Sequence, residues 1–127
     1  MDVYRTHGAF SWSELMTDDP AAAAAFYGEL FGWKVEVSDM GTGPYHVLKI
    51  GDTSVGGIMG MPPGGEKMPP TWGCYVTVDD AEATARRCQA LGGKLLHGPV
   101  DIPQVGRFVV LQDPQGAVLS AISYAMG

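Results

Sequence analysis

Leu15-Met16-Thr17-Asp18-Asp19, an alanine-rich run to Phe26-Tyr27 and then Leu30-Phe31-Gly32-Trp33 form a pattern that returns about 60 residues later. The second copy is Val76-Thr77-Val78-Asp79-Asp80, Ala81 to Gln89 and then Ala90-Leu91-Gly92-Gly93. Each copy reads as a strand, an acidic helix start, a short helix and a glycine stop. The offset is close to half of the 127 residues, so an internal duplication accounts for the whole chain. Two similar halves are expected to pack face to face, with any site in the groove they share.

The punctuation extends this reading outward. Asp18 or Asp19 can cap the first helix, Pro20 suits its first position, Ala21 to Ala25 are strong helix formers, and Gly32 supplies a left-handed stop. In the second helix Asp79 or Asp80 caps, Glu82 favours the positive end, Arg86-Arg87 lie further along, and Gly92-Gly93 end it. Asp113-Pro114-Gln115-Gly116 has the residue order of a type I turn and joins Phe108–Leu111 to Ala117–Ile122 as a hairpin; Gly51-Asp52 does the same job more loosely. Strands are predicted at about 9–17, 33–39, 44–50 and 54–60, and again at 72–79, 94–98, 106–112 and 117–124; helices fall at 20–31 and 80–91. The expected organisation is one domain, residues 1–127, with modules 8–60 and 72–125 joined by a Pro/Gly linker at 61–71.

Composition narrows the function classes. Apolar residues make up 46%, enough for a core, and no apolar run approaches the ~18–20 residues of a membrane span. The N-terminus is not followed by a signal-peptide apolar stretch, which predicts a cytoplasmic protein. Eight basic residues against fourteen acidic give a net charge of −6, and only Arg86-Arg87 are adjacent, so neither nucleic acid nor an anionic membrane is an expected partner. Cys74 and Cys88 form no C-x-x-C pair and read as small buried hydrophobes with free thiols.

A β-α-β-β-β unit repeated once resembles the vicinal oxygen chelate superfamily, which contains glyoxalase I, bleomycin-resistance proteins, fosfomycin-resistance enzymes and extradiol dioxygenases. The matching residues are Thr17-Asp18-Asp19, Phe26-Tyr27-x-x-Leu30-Phe31-Gly32-Trp33 and Asp113-Pro114-Gln115-Gly116-Ala117. Trp12-Ser13-Glu14-Leu15 and the Asp-Pro-Gln-Gly-Ala turn look closest to a glyoxalase-like or hydroxylase-like bacterial branch. The resemblance implies an α+β fold: two tandem modules whose cupped, barrel-like mixed sheets carry the helices outside. It also implies metal ligands on the first and last strands of each module. Those positions fall on Trp12, Gly73, about Gly57 and Ser120, none of which suits a divalent ion. A register slip would bring Glu14 or Trp72 nearer, but one carboxylate does not make a metal site. The histidines, His7, His46 and His97, lack ligand spacing and read as surface or strand-edge residues. No metal and no cofactor are therefore expected.

Strand alternation then assigns faces. Ser13, Leu15 and Thr17 match Cys74, Val76 and Val78 and are given to the helix side. Trp12, Glu14 and Met16, with Tyr75 and Thr77, face the cup, and Val118, Ser120, Ile122 and Tyr124 join them from the last strand. Met59 and Met16 adapt to irregular shapes, and Trp12 and Tyr75 offer stacking surfaces, although the same residues could simply fill the barrel. Glu14 is the sharpest feature. A carboxylate inside an apolar strand is costly to bury unless paired, and burial would raise its pKa and suit it to acid–base work. Its expected partner is Arg107 or Lys49; a structural ion pair or a dimer rim is the alternative. Arg107 could instead hold an anionic ligand or lie on the surface.

The sequence thus points to a protein that binds a small, partly aromatic or apolar molecule between its modules without the family's usual metal. Trp12, Met16, Met59, Tyr75, Thr77, Arg107 and Ser120 are the candidate contacts and Glu14 the candidate catalytic group. The alternatives are a metal-dependent lyase, isomerase or dioxygenase using Glu14 as base, or a module that only assists a partner. Open sheets with apolar faces predict a homodimer.

Overall fold

A computed structural model describes residues 1–39, 43–61 and 69–125. The chain divides into two compact units, Ser13–Gly73 and Met1–Trp12 with Cys74–Gly127. The first three residues of the opening strand and the arm before it thus group with the second unit. Most of the linker expected at 61–71 lies outside the described residues.

The elements run β1 (Phe10–Thr17), α1 (Pro20–Phe31), β2 (Lys34–Asp39), β3 (Pro44–Ile50) and β4 (Thr53–Gly60), then β5 (Thr71–Thr77), α2 (Ala81–Ala90), β6 (Lys94–Ile102), β7 (Gly106–Gln112) and β8 (Val118–Tyr124). The order is the duplicated β-α-β-β-β of the sequence. The largest departure is β6, which extends to Ile102 rather than stopping at about 98 because Val100, Asp101 and Ile102 continue the ladder with Phe108, Arg107 and Gly106.

Each unit holds a four-stranded mixed sheet with the same topology. In the first, β2–β3 and β3–β4 are antiparallel and β1 runs parallel to β4. In the second, β6–β7 and β7–β8 are antiparallel and β5 runs parallel to β8. Neither sheet closes on itself: β2 is an edge of one and β6 of the other. This is an α+β arrangement, with one helix per sheet.

Local chemistry explains the elements. Asp19 caps α1, its carboxylate accepting the Ala22 amide at 3.1 Å, and Pro20 follows in the first turn, where a missing N–H costs nothing. Gly32 stops the helix at φ 75°, a left-handed conformation in which its amide reaches the Gly28 carbonyl. Asp80 caps α2 in the same way through the Ala83 amide. At the last hairpin the Asp113 carboxylate accepts the amides of Gln115 and Ala117, and the Gly116 amide closes the turn onto the Asp113 carbonyl.

The helix side of each sheet is its core. Leu15, Leu48 and Ile58 pack with Ala24 of α1 in the first unit; Val78, Val109 and Ala121 pack with Ala81 and Ala85 of α2 in the second. These contacts fix the face assignment, since Leu15 and Val78 lie under helices and their strand neighbours Glu14 and Thr77 point the other way. Two smaller expectations fail. Cys74 is exposed rather than buried, because it precedes the part of β5 that α2 covers. His46 is buried rather than at the surface: it stands opposite Ile58 on the central pair β3–β4, and its Nδ1 atom has no hydrogen-bond partner among the described residues.

Candidate functional site

On the face of the first sheet away from α1, β1 and β4 pair with Glu14 opposite Gly57 and Met16 opposite Met59. Val47 of β3 stands on the other side of Gly57. Tyr45, two residues earlier on β3, shares this face. Its phenol donates a 2.6 Å hydrogen bond to Glu14 Oε2. Glu14 is only 7% exposed, so the bond places a donor where a buried carboxylate needs one.

Gly57 makes this geometry possible. A Cβ at that position would lie 2.0 Å from the Tyr45 hydroxyl oxygen and 2.3 Å from the ring carbon bearing it. The tyrosine ring therefore occupies the volume that any side chain at 57 would need. Sequence reasoning singled out Glu14 and missed Tyr45; the glycine on an apolar strand was the available signal, since such a glycine marks close approach of another group.

The partners expected for Glu14 are engaged elsewhere. Lys49 is 3.0 Å from the Glu36 carboxylate. Arg107 lies on the helix side of β7, in line with buried Val109, where it pairs with Glu82 of α2 and donates from Nε to Asp101 of β6 at 2.6 Å. Its hydrogen bond holds the Asp101 carboxyl below its ordinary pKa, and that bond in turn raises the guanidinium's pKa. Arg107 thus ties α2 to the edge strand and does not share the face of Tyr75.

In the second unit Tyr75 stands opposite Ser120 and Thr77 opposite Ile122, so the expected contacts on β5 and β8 do share a face. Phe108 joins them, its ring edge-to-face with Tyr75 at 6.1 Å. The Thr77 hydroxyl is taken: it donates to the Val3 carbonyl at 2.6 Å, and its backbone pairs with Gly8 and Ala9. Tyr124 meets Ser11 at 2.7 Å and packs edge-to-face on Tyr4. Burial pushes its phenol pKa up, the Ser11 hydrogen bond opposes this, and Tyr4 adds to the rise. Trp12 is half-buried on the part of β1 that groups with this unit.

The register also tests the metal that the resemblance implies. Glu14 rather than Trp12 stands level with Gly57, and Tyr75 rather than Gly73 level with Ser120. Of these four, only Glu14 is an ordinary metal ligand. The Tyr45 ring fills the space over Gly57, and no three His, Cys, Asp or Glu side chains come together among the described residues. These side chains do not fit the ion.

A cavity elsewhere in this unit was not foreseen. On the α1 side of the first sheet, Tyr27, Phe31, Trp33, Ile50, Val55 and Trp72 help line a cavity of about 460 Å³. The Trp72 indole donates to the Tyr27 hydroxyl at 3.2 Å, so its one polar hydrogen is satisfied within the cluster.

Two paired-strand modules with a polar pair buried on the open face of one define a member of the glyoxalase-type fold class. The chain belongs to the glyoxalase/bleomycin resistance protein/dioxygenase superfamily, whose profile matches residues 9–120. It is 46% identical over 119 residues to CFP32 of Mycobacterium tuberculosis, which carries a glyoxylase name; the match covers 93% of this chain and 45% of that protein. It is 35% identical over 126 residues to the anthracycline biosynthesis protein DnrV of Streptomyces peucetius, covering 89% of this chain and 46% of DnrV. The chain thus spans less than half the length of either relative. Among solved structures, methylmalonyl-CoA epimerase from Mycobacterium tuberculosis superposes with a TM-score of 0.63 at 17% identity, covering 94% of this chain and 89% of that one, a likeness of fold. No helix among the described residues is long and apolar enough to cross a membrane.

Proposed function

We propose that this chain binds a small, partly aromatic or apolar molecule on the Glu14–Tyr45 face of its first module, without the metal ion usual in its superfamily. The observation that carries this reading is the buried carboxylate–phenol pair set among Met16, Val47 and Met59. Apolar walls around a few converging polar groups are the ordinary make-up of a small-molecule site. Methionine side chains adapt to irregular ligand shapes, and the polar pair fixes orientation. Similarity to an anthracycline biosynthesis protein supports a flat aromatic ligand. In this reading Glu14 anchors and orients; Met16 and Met59 supply contact area. A homodimer is offered as the working assembly, since both sheets end in open edges.

The test is a thermal-shift screen followed by calorimetry, using polycyclic aromatic quinones, simple aromatics and acyl-CoA esters. A true ligand at ~100 times its dissociation constant stabilises by about 2.7 kcal/mol. Glu14→Gln should weaken binding more than it lowers stability. Stoichiometric zinc, nickel, iron or manganese in the purified protein, lost in Glu14→Gln, would overturn the metal-free reading. Sedimentation velocity reports the oligomeric state.

A further inference from the structure

The cavity beside α1 lies wholly within the first unit, on the opposite side of its sheet from Glu14 and Tyr45. Leu48 and Gly56, both buried, form its floor with Ser13, which is exposed although it lies within a strand. Phe31, Ile50 and Trp72, all exposed, stand at its rim. A buried floor under an exposed rim gives depth, and about 460 Å³ is the size of a small-molecule pocket. The rings of the wall cross one another: Tyr27 meets Trp72 with centroids 5.2 Å apart at 80°, and Trp33 meets Trp72 at 6.5 Å and 67°. Such walls give a flat guest both ring faces and ring edges to pack on.

The second module shows that the scaffold does not need these rings. The helix caps Asp19 and Asp80 are 61 residues apart, and that offset carries Tyr27, Phe31 and Trp33 onto Cys88, Gly92 and Lys94. There the chain itself closes the corner: a Cβ on Gly93 would lie 2.5 Å from the Cys88 sulfur. One duplicated corner is packed shut with small groups, and the other is held open between four aromatic side chains.

We propose that this cavity is a second small-molecule site, separate from the Glu14–Tyr45 face, and that it takes an uncharged planar aromatic compound. Among the described residues, no Asp, Glu, Lys, Arg or His lines it. A charge entering it would lose water with no counter-charge in exchange. The hydroxyls of its lining are neutral: those of Ser13 and of Tyr27, the latter accepting the Trp72 indole N–H.

Chemical-shift mapping of the full chain at neutral pH tests this, with indole, 2-naphthol, 2-naphthoate, cyclohexanol and tetramethylammonium as probes and calorimetry for affinity. Indole and 2-naphthol should move the Val55 methyls and the Trp72 indole N–H saturably, and bind about tenfold or more tightly than the other three. Methyl signals of Met16 and Met59 report the other face in the same spectra, so the two sites succeed or fail separately. Ser13→Phe, which sets a ring on the floor from an exposed position, should weaken indole about tenfold or more. Trp72→Ala, which removes part of the wall, should weaken it about threefold or more. Silence of Val55 and Trp72 with all five probes, equal or tighter binding of naphthoate, cyclohexanol or tetramethylammonium, or undiminished affinity in both variants would overturn the proposal. So would movement of the same signals on dilution of the free protein, which would make the cavity a contact between copies of the chain.

Discussion

The two modules place different chemistry at equivalent points of one scaffold. Glu14 on β1 corresponds to Tyr75 on β5, Gly57 on β4 to Ser120 on β8, and Tyr45, two residues before the partner of Gly57, to Phe108, two residues before the partner of Ser120. In the first module the trio is a carboxylate, a glycine and a phenol joined by a 2.6 Å hydrogen bond. In the second it is two aromatic rings in edge-to-face contact beside a hydroxyl. The duplicated backbone fixes where three side chains meet, and only their identity decides whether the meeting is polar. The second module has also spent part of its face on the N-terminal arm, through Thr77 with Val3 and Tyr124 with Tyr4.

The cores offer the largest test of this comparison. Leu48 is 1% exposed among other branched side chains, whereas much of the second core is alanine. Leu48→Ala should lower stability by about 2–5 kcal/mol in urea unfolding. Ala121→Gly should cost about 1 kcal/mol, mostly through chain entropy. Equal losses would show that the two cores do not differ as their packing implies.

Next comes the polar trio. Tyr45→Phe should cost about 1.5–3 kcal/mol, the usual range for a hydrogen bond to a charged group. Phe108→Leu should cost about 0.5–1.5 kcal/mol beyond the change in buried area, the worth of an aromatic pair. Gly57→Ala should lose about 1–3 kcal/mol by overpacking against Tyr45, while Ser120→Ala at the matching position stays within about 0.5 kcal/mol. A neutral Gly57→Ala would mean that the ring has room to move, and the argument for its close seating would fail.

The smallest effects are in titration. Tyr124 has a folded-state pKa raised above 10.0. Its contribution to stability is therefore fully present below the unfolded value near 10 and is lost as pH rises through the folded one. Absorbance at 295 nm should show a late-ionising component that diminishes in Tyr124→Phe. Asp101 behaves in the opposite sense: its lowered pKa contributes stability above about 3.8, lost as pH falls through the folded value. Carboxyl chemical shifts should place its midpoint below that of Asp101 in Arg107→Met.

Almost all of the architecture could be read from the chain because its signals are local. Asp19-Pro20, Gly32 and Asp113-Pro114-Gln115-Gly116 act within a few residues, and strand alternation carried the faces from one anchor to the next. Glu14 could be found because a carboxylate amid Trp12, Leu15 and Met16 breaks a rule of burial. Its partner could not. Tyr45 is 31 residues away, and only the register of β3 against β4 shows that its ring crosses the empty position at Gly57. Arg107 misled for the same reason: the parity of β7, set by Val109 under α2, turns it toward Glu82 and Asp101. Charge complementarity can be guessed along a sequence, but the side of a sheet on which a residue emerges depends on pairings that no short window contains.

The parallel pairing of β1 with β4, and of β5 with β8, has a kinetic consequence. The β2–β3–β4 and β6–β7–β8 meanders each close through nearby turns. By contrast β1 and β5 must wait for partners roughly 40 residues further along, and the larger closure entropy of those contacts delays them. In pulse-labelled refolding, amides of Val109 and Val110 should gain protection before those of Val76 and Thr77. The Glu14–Tyr45 bond joins β1 to a meander, so it belongs to the late-forming set, and this buried polar pair is completed only when the opening strand docks.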